Sequence, residues 1–371
     1  MIQNNQTDVF VVGGGPAGLV AAIAARTRGF AVTLADGAEP PIDKPCGEGL
    51  MPETQAALRE LDITPDASDG YEFRGIQFIY GGKQVAADFP EGKGMGLRRP
   101  LLHAMLVAKA EQSGVRLLWK TPASAITSEG VQLKSGLLQA RWIVGADGGG
   151  SRVRRWSGLE ATVQRSQRFA TRRHYRVQPW SEYMEIHWGQ GAQAYVTPIS
   201  REEVCIVVMA ERFEDADFAK VLEELPELRK RLRGAELTSR ERGAVTAMHK
   251  LKKVTSGNVA LVGDASGGVD AITGEGLRLA FQQSLALAEA MERNDLTSYG
   301  HAHQELARRP MRMGKLMLLL SRNEKLRQRS FAALASRPQL FEDLLAVHMG
   351  RVSGVQTLGT GLEFGWQFLS A

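Results

Sequence analysis

DVFVVGGGPAGLVAAIAARTRGFAVTLAD, residues 8–36, holds in order an apolar run, a glycine loop, an alanine-rich stretch and a second apolar run ending in an acid. Val9 to Val12 reads as a buried parallel strand. Gly13, Gly15 and Gly18 follow in G-x-G-x-x-G spacing and open a helix, and Ala31 to Ala35 reads as the next strand. Glycines in this spacing permit a tight turn, close approach of backbone to a pyrophosphate and close helix–strand packing. The helix start offers free N–H groups and a positive dipole end to phosphates. Asp36 stands where an acidic side chain accepts bonds from a ribose hydroxyl. A lone G-x-G-x-x-G is a weak signal. With strand, helix, strand and acid in register it predicts an adenine-dinucleotide site at the N-terminus, with Pro16 and Ala17 in the same turn.

Outward from this unit, composition sets the frame. The 371 residues suffice for two or three domains, or for one large domain with an inserted part, and 43% hydrophobic with 23% charged residues is ordinary for a globular chain. No apolar run reaches the roughly 18 residues of a membrane span, and MIQNNQTDVF lacks a basic n-region. Two cysteines, Cys46 and Cys205, make no disulfide framework, and no Cys/His spacing suits zinc. The expectation is a metal-free, cytoplasmic protein. The net charge is +5, with basic residues bunched at 172–176, 229–234 and 307–329. Aromatic interleaving is sparse there, so solvated helix faces are preferred to a nucleic-acid surface. A negatively charged cofactor also suits a basic chain.

After Asp36 the chain does not continue as strand–helix units. DKPCGEGLMP (43–52) is a glycine loop with a thiol, FRGIQFIYGGKQVAADF (73–89) reads as strands, and GLRRPLLHAMLVAKAEQSGVRLLW (96–119) reads as loop, helix and strand. The helix carries Leu102, Met105, Leu106 and Ala110 on its apolar side. Two later stretches repeat a strand-into-loop pattern. RWIVGADGGGSRVRRWSG (141–158) runs into Asp147-Gly148, and GNVALVGDASGGVDAITGEGLRLAF (257–281) runs into Gly263-Asp264, a glycine loop and a helix.

With the first loop, these stretches resemble the three fingerprints of flavoprotein monooxygenases of the para-hydroxybenzoate hydroxylase fold and of the related geranylgeranyl reductases, in the family's order over roughly residues 6 to 300. The resemblance implies an α/β fold: a Rossmann-like, glutathione-reductase-type FAD-binding domain, an interleaved mixed β-sheet substrate domain and C-terminal helices. The expected boundaries are 1–72, 98–165 and 250–300 for FAD binding, 73–97 and 166–249 for the substrate sheet, and 301–371 for the helices. It implies FAD as resident cofactor and NAD(P)H as transient reductant. Gly13, Gly15, Gly18 and Asp36 would hold the ADP half, and Arg99, with Arg98 as an alternative, would reach the phosphate side. Asp147 would support FAD and the approach of the nicotinamide, and Asp264 the ribityl chain. Gly274, Gly276 and Leu277 would face the pyrimidine edge from a helix N-terminus, where negative charge develops on reduction. The family usually has proline where this chain has Ala271.

The resemblance also places DKPCGEGLMP and DAITGEGL on two sides of the flavin ring, with Gly47 and Gly49 admitting backbone close to it. Cys46 matches the cysteine of the reductases' K-P-C-G segment. It reads either as a proton donor or tuner of flavin potential, or as a small residue that merely fits. Glu48 reads as a general acid or base, or as an exposed loop charge, the latter preferred. Cys205 in EVCIVVMA reads as core. Residues 169–210 read as strands roofing a substrate cavity. Tyr195 and Pro198 align with the Y/F-x-W-x-F-P stretch of the reductases, whose other aromatics are Gln193 and Thr197 here. His174, His187 and His249 read as structural or surface residues. The C-terminal helices, with apolar faces in MGKLMLLLSRN and QLFEDLLAVHMGRV, are expected to cap the cavity; peripheral membrane contact is a lesser alternative.

Three functions follow from the resemblance, in order. First is an NAD(P)H- and oxygen-dependent monooxygenase working through a flavin C4a-hydroperoxide on an apolar, aromatic or polyketide-like small molecule. Second is a geranylgeranyl-reductase-like reductase of C=C bonds, and third a non-catalytic binder like the GDP-dissociation inhibitors. Oligomeric state is not legible.

Overall fold

The computed structural model of the protein describes residues 5–160 and 163–351. Around the strand Gln6–Val12, four parallel partners build one sheet: Gly136–Gly145 and then Val259–Leu261 on one side, Val32–Ala35 and then Arg116–Leu118 on the other. All four residues of Val32–Ala35 are buried, as a strand covered on both faces requires. Helices Pro16–Thr27 and Gly276–Glu292 pack on one face, with Leu19, Ile23 and Phe281 in a common core. Val131, Leu138, Val153 and Leu159 fill the other face.

A second sheet takes its strands from both sides of this unit. The hairpin Gly75–Tyr80 and Lys83–Asp88 turns at Gly81-Gly82, both with positive φ, and pairs in parallel with Tyr183–Trp188. From there the sheet continues antiparallel through Ala192–Pro198, Glu203–Ala210 and Val163–Arg176 to Arg242–Lys250. EVCIVVMA shows why the sequence is so uniformly apolar. Val204, Ile206 and Val208 face Phe218, Val221 and Leu228 of two short helices, while Cys205, Val207 and Met209 face the opposite core. Successive side chains of a strand point to opposite faces, so both must be apolar when both are covered.

That opposite cover is the C-terminal helical layer, Leu296–Arg322, Glu324–Ser336 and Gln339–Met349. Phe331 and Phe341 meet Phe78 at ring-centroid distances of 6.2 and 4.7 Å. Among the described residues no helix is long and apolar enough to cross a membrane.

Candidate functional site

The glycine loop is shaped by close packing. Gly13 has φ +115°, and a Cβ there would lie 2.4 Å from the carbonyl oxygen of Ala146; one on Gly18 would lie under 2 Å from the Gly13 carbonyl oxygen. Gly14, which the spacing alone does not single out, is pressed against the Trp119 ring, where a Cβ would come to 2.3 Å. Gly15, Gly47, Gly149, Gly150, Gly274 and Gly276 are different, because a Cβ on any of them meets nothing within 4 Å. Glycines that the chain itself does not crowd, spread over four loops, outline an open cradle bounded by backbone.

Those loops are tied to one another. The first lies on Ala146-Asp147, and a Cβ on Gly263 would meet the Ala17 side chain at 2.9 Å. Buried Arg154 donates to the carbonyls of Gly149 (2.7 Å) and Ala265 (3.1 Å), joining the Asp147-Gly148 loop to the Gly263-Asp264 loop. Asp147 accepts from the Ser151 hydroxyl and the Arg152 and Val153 amides, so its carboxylate caps the short helix that follows. Asp36 accepts from Gly14 N at 2.6 Å and Ala38 N at 2.7 Å. Asp264 is exposed, and its carboxylate makes no hydrogen bond or ion pair among the described residues. Gly274 has φ +68°, and Gly276 starts a 17-residue helix in which Leu277 packs half-buried on the core.

His103 went unrecognised in the sequence. Fully buried, its Nε2 lies 2.8 Å from the Gly14 carbonyl oxygen, and its Nδ1 accepts from Ile42 N at 3.4 Å. The proton therefore sits on Nε2, and burial pushes the imidazole pKa below its usual value, with the Gly14 carbonyl partly opposing the shift. A neutral imidazole thus braces the glycine loop. His303 braces the Gly263 loop through Ser266 at 2.8 Å, and burial holds its pKa down at about 4.

The two adjacent arginines separate cleanly. Arg98 pairs with Glu203 at 3.0 Å, whereas the Arg99 guanidinium has no carboxylate partner among the described residues. Its Nε is buried without a hydrogen-bond partner, and its other contact is Cys46 Sγ at 4.0 Å. An unpaired cation with an orphaned donor, beside an open glycine cradle on helix N-termini, is a fit for a bound anion. On these observations the residues present suit FAD. Gly13, Gly15, Pro16, Ala17, Gly18 and Asp36 would take its ADP half, Arg99 and Asp147 its middle, and Asp264, Gly274, Gly276 and Leu277 its ribityl–flavin half.

The flavin-side loop corrects one expectation. Glu48 is not an exposed loop charge: it is 2% exposed and sits at φ +58°, which a non-glycine residue adopts only when its surroundings hold it there. Its oxygens accept from Arg99 N (2.9 Å) and Arg172 (3.2 Å) and meet His174 Nε2 (2.9 Å). Arg172, on the second sheet, also grips Asp43 with both terminal nitrogens at 2.8 and 2.9 Å. The loop is thereby stapled at both ends. Cys46 is half-buried and accepts from Glu48 N at 3.4 Å. Cys205 is fully buried as expected, and burial pushes its thiol pKa well up. Glu48, His174 and Cys205 present ligand-type atoms within 4.8 Å of one another. A cation there would have to compete with the Arg172 guanidinium for Glu48. The basic run at 172–176 is likewise spent internally, with Arg173 on Glu241 and Arg176 on Glu236.

The opposite loop is pinned from the second sheet too. Buried Tyr195 donates to the Ile272 carbonyl at 2.8 Å, and Arg168 pairs with Asp270 at 2.8 Å. Asp270 in turn accepts from Ile272 N. These bonds hold the short helical turn Ala271–Thr273 in place at the position where the family has proline. Pro198 lies against Gly96.

Beside these loops lies a cavity of about 980 Å³, counted to its open mouth. Met51, Thr273 and Glu275 line it together with Met184, Ile186, Phe78, Met317, Leu320 and Phe341. The C-terminal helices form its wall. Tyr195 and Pro198 are not among its lining residues.

Comparison with known proteins agrees with this architecture. A profile of the family described as "FAD binding domain" matches residues 6–306. The menaquinone reductase of Mycobacterium tuberculosis (strain H37Rv) is 28% identical over 80% of this chain and 79% of that protein. The digeranylgeranylglycerophospholipid reductase of Thermoplasma volcanium is 27% identical over 91% and 89%. Among solved structures, a geranylgeranyl bacteriochlorophyll reductase-like protein from Thermoplasma acidophilum superposes with TM-score 0.72 at 21% identity, covering 96% of this chain and 95% of that one. A 2-methyl-3-hydroxypyridine-5-carboxylic acid oxygenase superposes at 0.71 with 23% identity, over 86% and 93%. The two structures speak to fold alone, and both lie within the resemblance that the motifs carry. By the match across most of its length, the chain belongs to the FAD binding domain family and is an FAD-dependent oxidoreductase.

Proposed function

We propose that this oxidoreductase reduces a C=C bond in a long, apolar, polyprenyl-bearing lipid, with a nicotinamide as external reductant. The observation that carries the reading is the cavity. Its lining is chiefly of aliphatic, aromatic and methionine side chains, and it includes Thr273 and Glu275 of the loop expected to face the flavin. Unbranched methionines (Met51, Met184, Met313, Met317 and Met349) adapt to a flexible chain better than a rigid aromatic slot would. The similar proteins are named menaquinone reductase and digeranylgeranylglycerophospholipid reductase, and the second name itself carries the geranylgeranyl chain that such a cavity would hold.

Bound FAD would supply hydride transfer. The chain's own residues do the rest. The helix N-terminus at Gly276 would favour negative charge on the reduced ring. Arg172 and Glu48 fix the covering loop, Tyr195 and Arg168 fix the opposite one, and the apolar wall excludes water from the reacting end.

Monooxygenation is the second reading, favoured by the intact Asp147-Gly148 loop tied by Arg154 to its neighbour. A non-catalytic binding role does not fit an FAD-dependent oxidoreductase. The deciding experiment loads the protein with FAD, reduces it with NADH or NADPH, and presents menaquinone or digeranylgeranylglycerophospholipid with and without air. A product formed without air that is heavier by two hydrogens and keeps them after reoxidation in air, so that the chain and not a quinone ring has been reduced, supports the reductase. A product heavier by one oxygen, formed only in air, replaces it with the monooxygenase.

A further inference from the structure

Reducing a C=C bond needs a proton as well as a hydride, and the cavity offers few sources. Among its lining residues only Glu53, Glu275 and His348 titrate. Cys46 is not one of the lining residues. Glu275 is buried at the N-terminus of the Gly276–Glu292 helix, paired with Arg278 and accepting from His348 Nε2 at 2.9 Å. Burial alone would raise its pKa, but His348 and Arg278 overcome this and hold it below the usual range. It is an anion with both neighbours engaged, and the His348 proton is committed to it.

Glu53 is different. It sits in the first turn of the helix Pro52–Arg59, on the cavity wall, with no ion pair and no hydrogen bond to another residue among the described ones. Burial first, and then the Glu275 charge, raise its pKa above the usual carboxylate value, against smaller opposing effects of its own backbone amide, Arg278 and His348. These are the charged and titratable groups that face it. A carboxyl in the cavity lining, without a partner and with its pKa raised, has the setting that a general acid needs.

We propose that Glu53 is the proton donor of the reaction, acting in the cavity that it lines together with Thr273 and Glu275. This rests on the C=C reduction reading. The π bond breaks; one carbon gains a C–H bond from the hydride of the reduced cofactor, and its neighbour gains one from the Glu53 carboxyl. Glu53 is left as a carboxylate that takes a proton back from solvent. Bound FAD would supply that hydride, with the nicotinamide as its external reductant.

The test compares wild type with Glu53→Gln, using menaquinone as probe. The variant is expected to keep its FAD and its menaquinone affinity, and to saturate the probe's side chain, read as the air-stable gain of two hydrogens, roughly 100-fold or more slowly. Infrared spectra of the protein without substrate should show a protonated-carboxyl band in wild type that vanishes on raising the pH and is missing in the variant. A variant that saturates the menaquinone side chain at the wild-type rate, or an identical band in both proteins, overturns the assignment while C=C reduction stands. A wild type that adds hydrogen to no polyprenyl lipid overturns C=C reduction and the assignment together. Should Glu53→Gln not fold, the pH titration of the wild-type band decides, and a carboxyl that ionises in the ordinary range overturns the proposal.

Discussion

His174 Nε2 stands 2.9 Å from Glu48 Oε2, and neither side chain reaches solvent. The residues are 126 positions apart, one in the flavin-side loop and the other on the second sheet. Beyond His174 the network continues to half-buried Ser239 at 2.6 Å, and beyond Glu48 to Arg172 and Asp43. The loop is thus fixed by its partner sheet and not by its own glycines.

Breaking this pair is expected to be costly. Removing Glu48 leaves His174 without its buried partner and Arg172 with Asp43 alone, a loss of roughly 1–3 kcal/mol. Glu48→Ala should show it by urea unfolding followed through tryptophan fluorescence, and should loosen FAD, because Arg99 N loses its acceptor as well. The exposed pair Arg176–Glu236 is the control, and Arg176→Ala should shift the midpoint little. Equal effects of the two substitutions would show that the buried network does not hold the loop.

Two glycines of one motif should separate folding from cofactor binding. A Cβ on Gly18 would fall inside the Gly13 carbonyl, so Gly18→Ala should destabilise the protein by about 1–3 kcal/mol or prevent folding. A Cβ on Gly15 meets nothing within 4 Å. Gly15→Ala should fold with unchanged or slightly raised stability and yet lose FAD, because the methyl group occupies space kept for phosphate. Thermal melts and the flavin-to-protein absorbance ratio read the two outcomes. A yellow, fully loaded Gly15→Ala would remove the phosphate from that turn.

How much of this was legible follows from where the partners lie. Gly13, Gly15, Gly18 and Asp36 carry their meaning in local spacing, because one turn and one helix start do the work. Glu48 did not, because a carboxylate between two glycines reads as exposed until the strand bearing Arg172 and His174 is laid beside it. That juxtaposition depends on the register of the second sheet, such as His174 opposite Cys205, which no local pattern states. His103 lies on the helix that Leu102, Met105, Leu106 and Ala110 mark, and no local pattern states that its ring braces Gly14, 89 positions away. Glu53 likewise became visible only once the C-terminal helices closed the cavity above it.

Neighbouring arginines predict opposite phenotypes. Arg99 has no carboxylate partner, and its Nε is an orphaned buried donor, whereas Arg98 is committed to Glu203 at the surface of the second sheet. Arg99→Gln should weaken FAD by roughly 10-fold or more, since a charge-assisted contact contributes about 1.5–3 kcal/mol. Its effect on unfolding without FAD should be small. Arg98→Gln should leave FAD affinity unchanged. Fluorescence titration of apoprotein with FAD separates them, and the reverse pattern would move the phosphate contact to Arg98.

His303 makes the acid side of the stability profile testable. Burial lowers its pKa to about 4 in the folded protein, against about 6.5 in the unfolded chain. Between those values the unfolded state binds the extra proton, so stability rises with pH across the window and is fully present above about 6.5. As pH falls through the window the protein should lose up to about 3 kcal/mol from this residue alone. Asparagine at this position keeps a donor toward Ser266 and cannot titrate. His303→Asn should therefore flatten the stability profile between pH 4 and 6.5 while leaving the higher-pH value nearly unchanged. Urea midpoints measured at half-unit steps decide it, and an unaltered slope in the variant would mean that the lost protons belong to other groups.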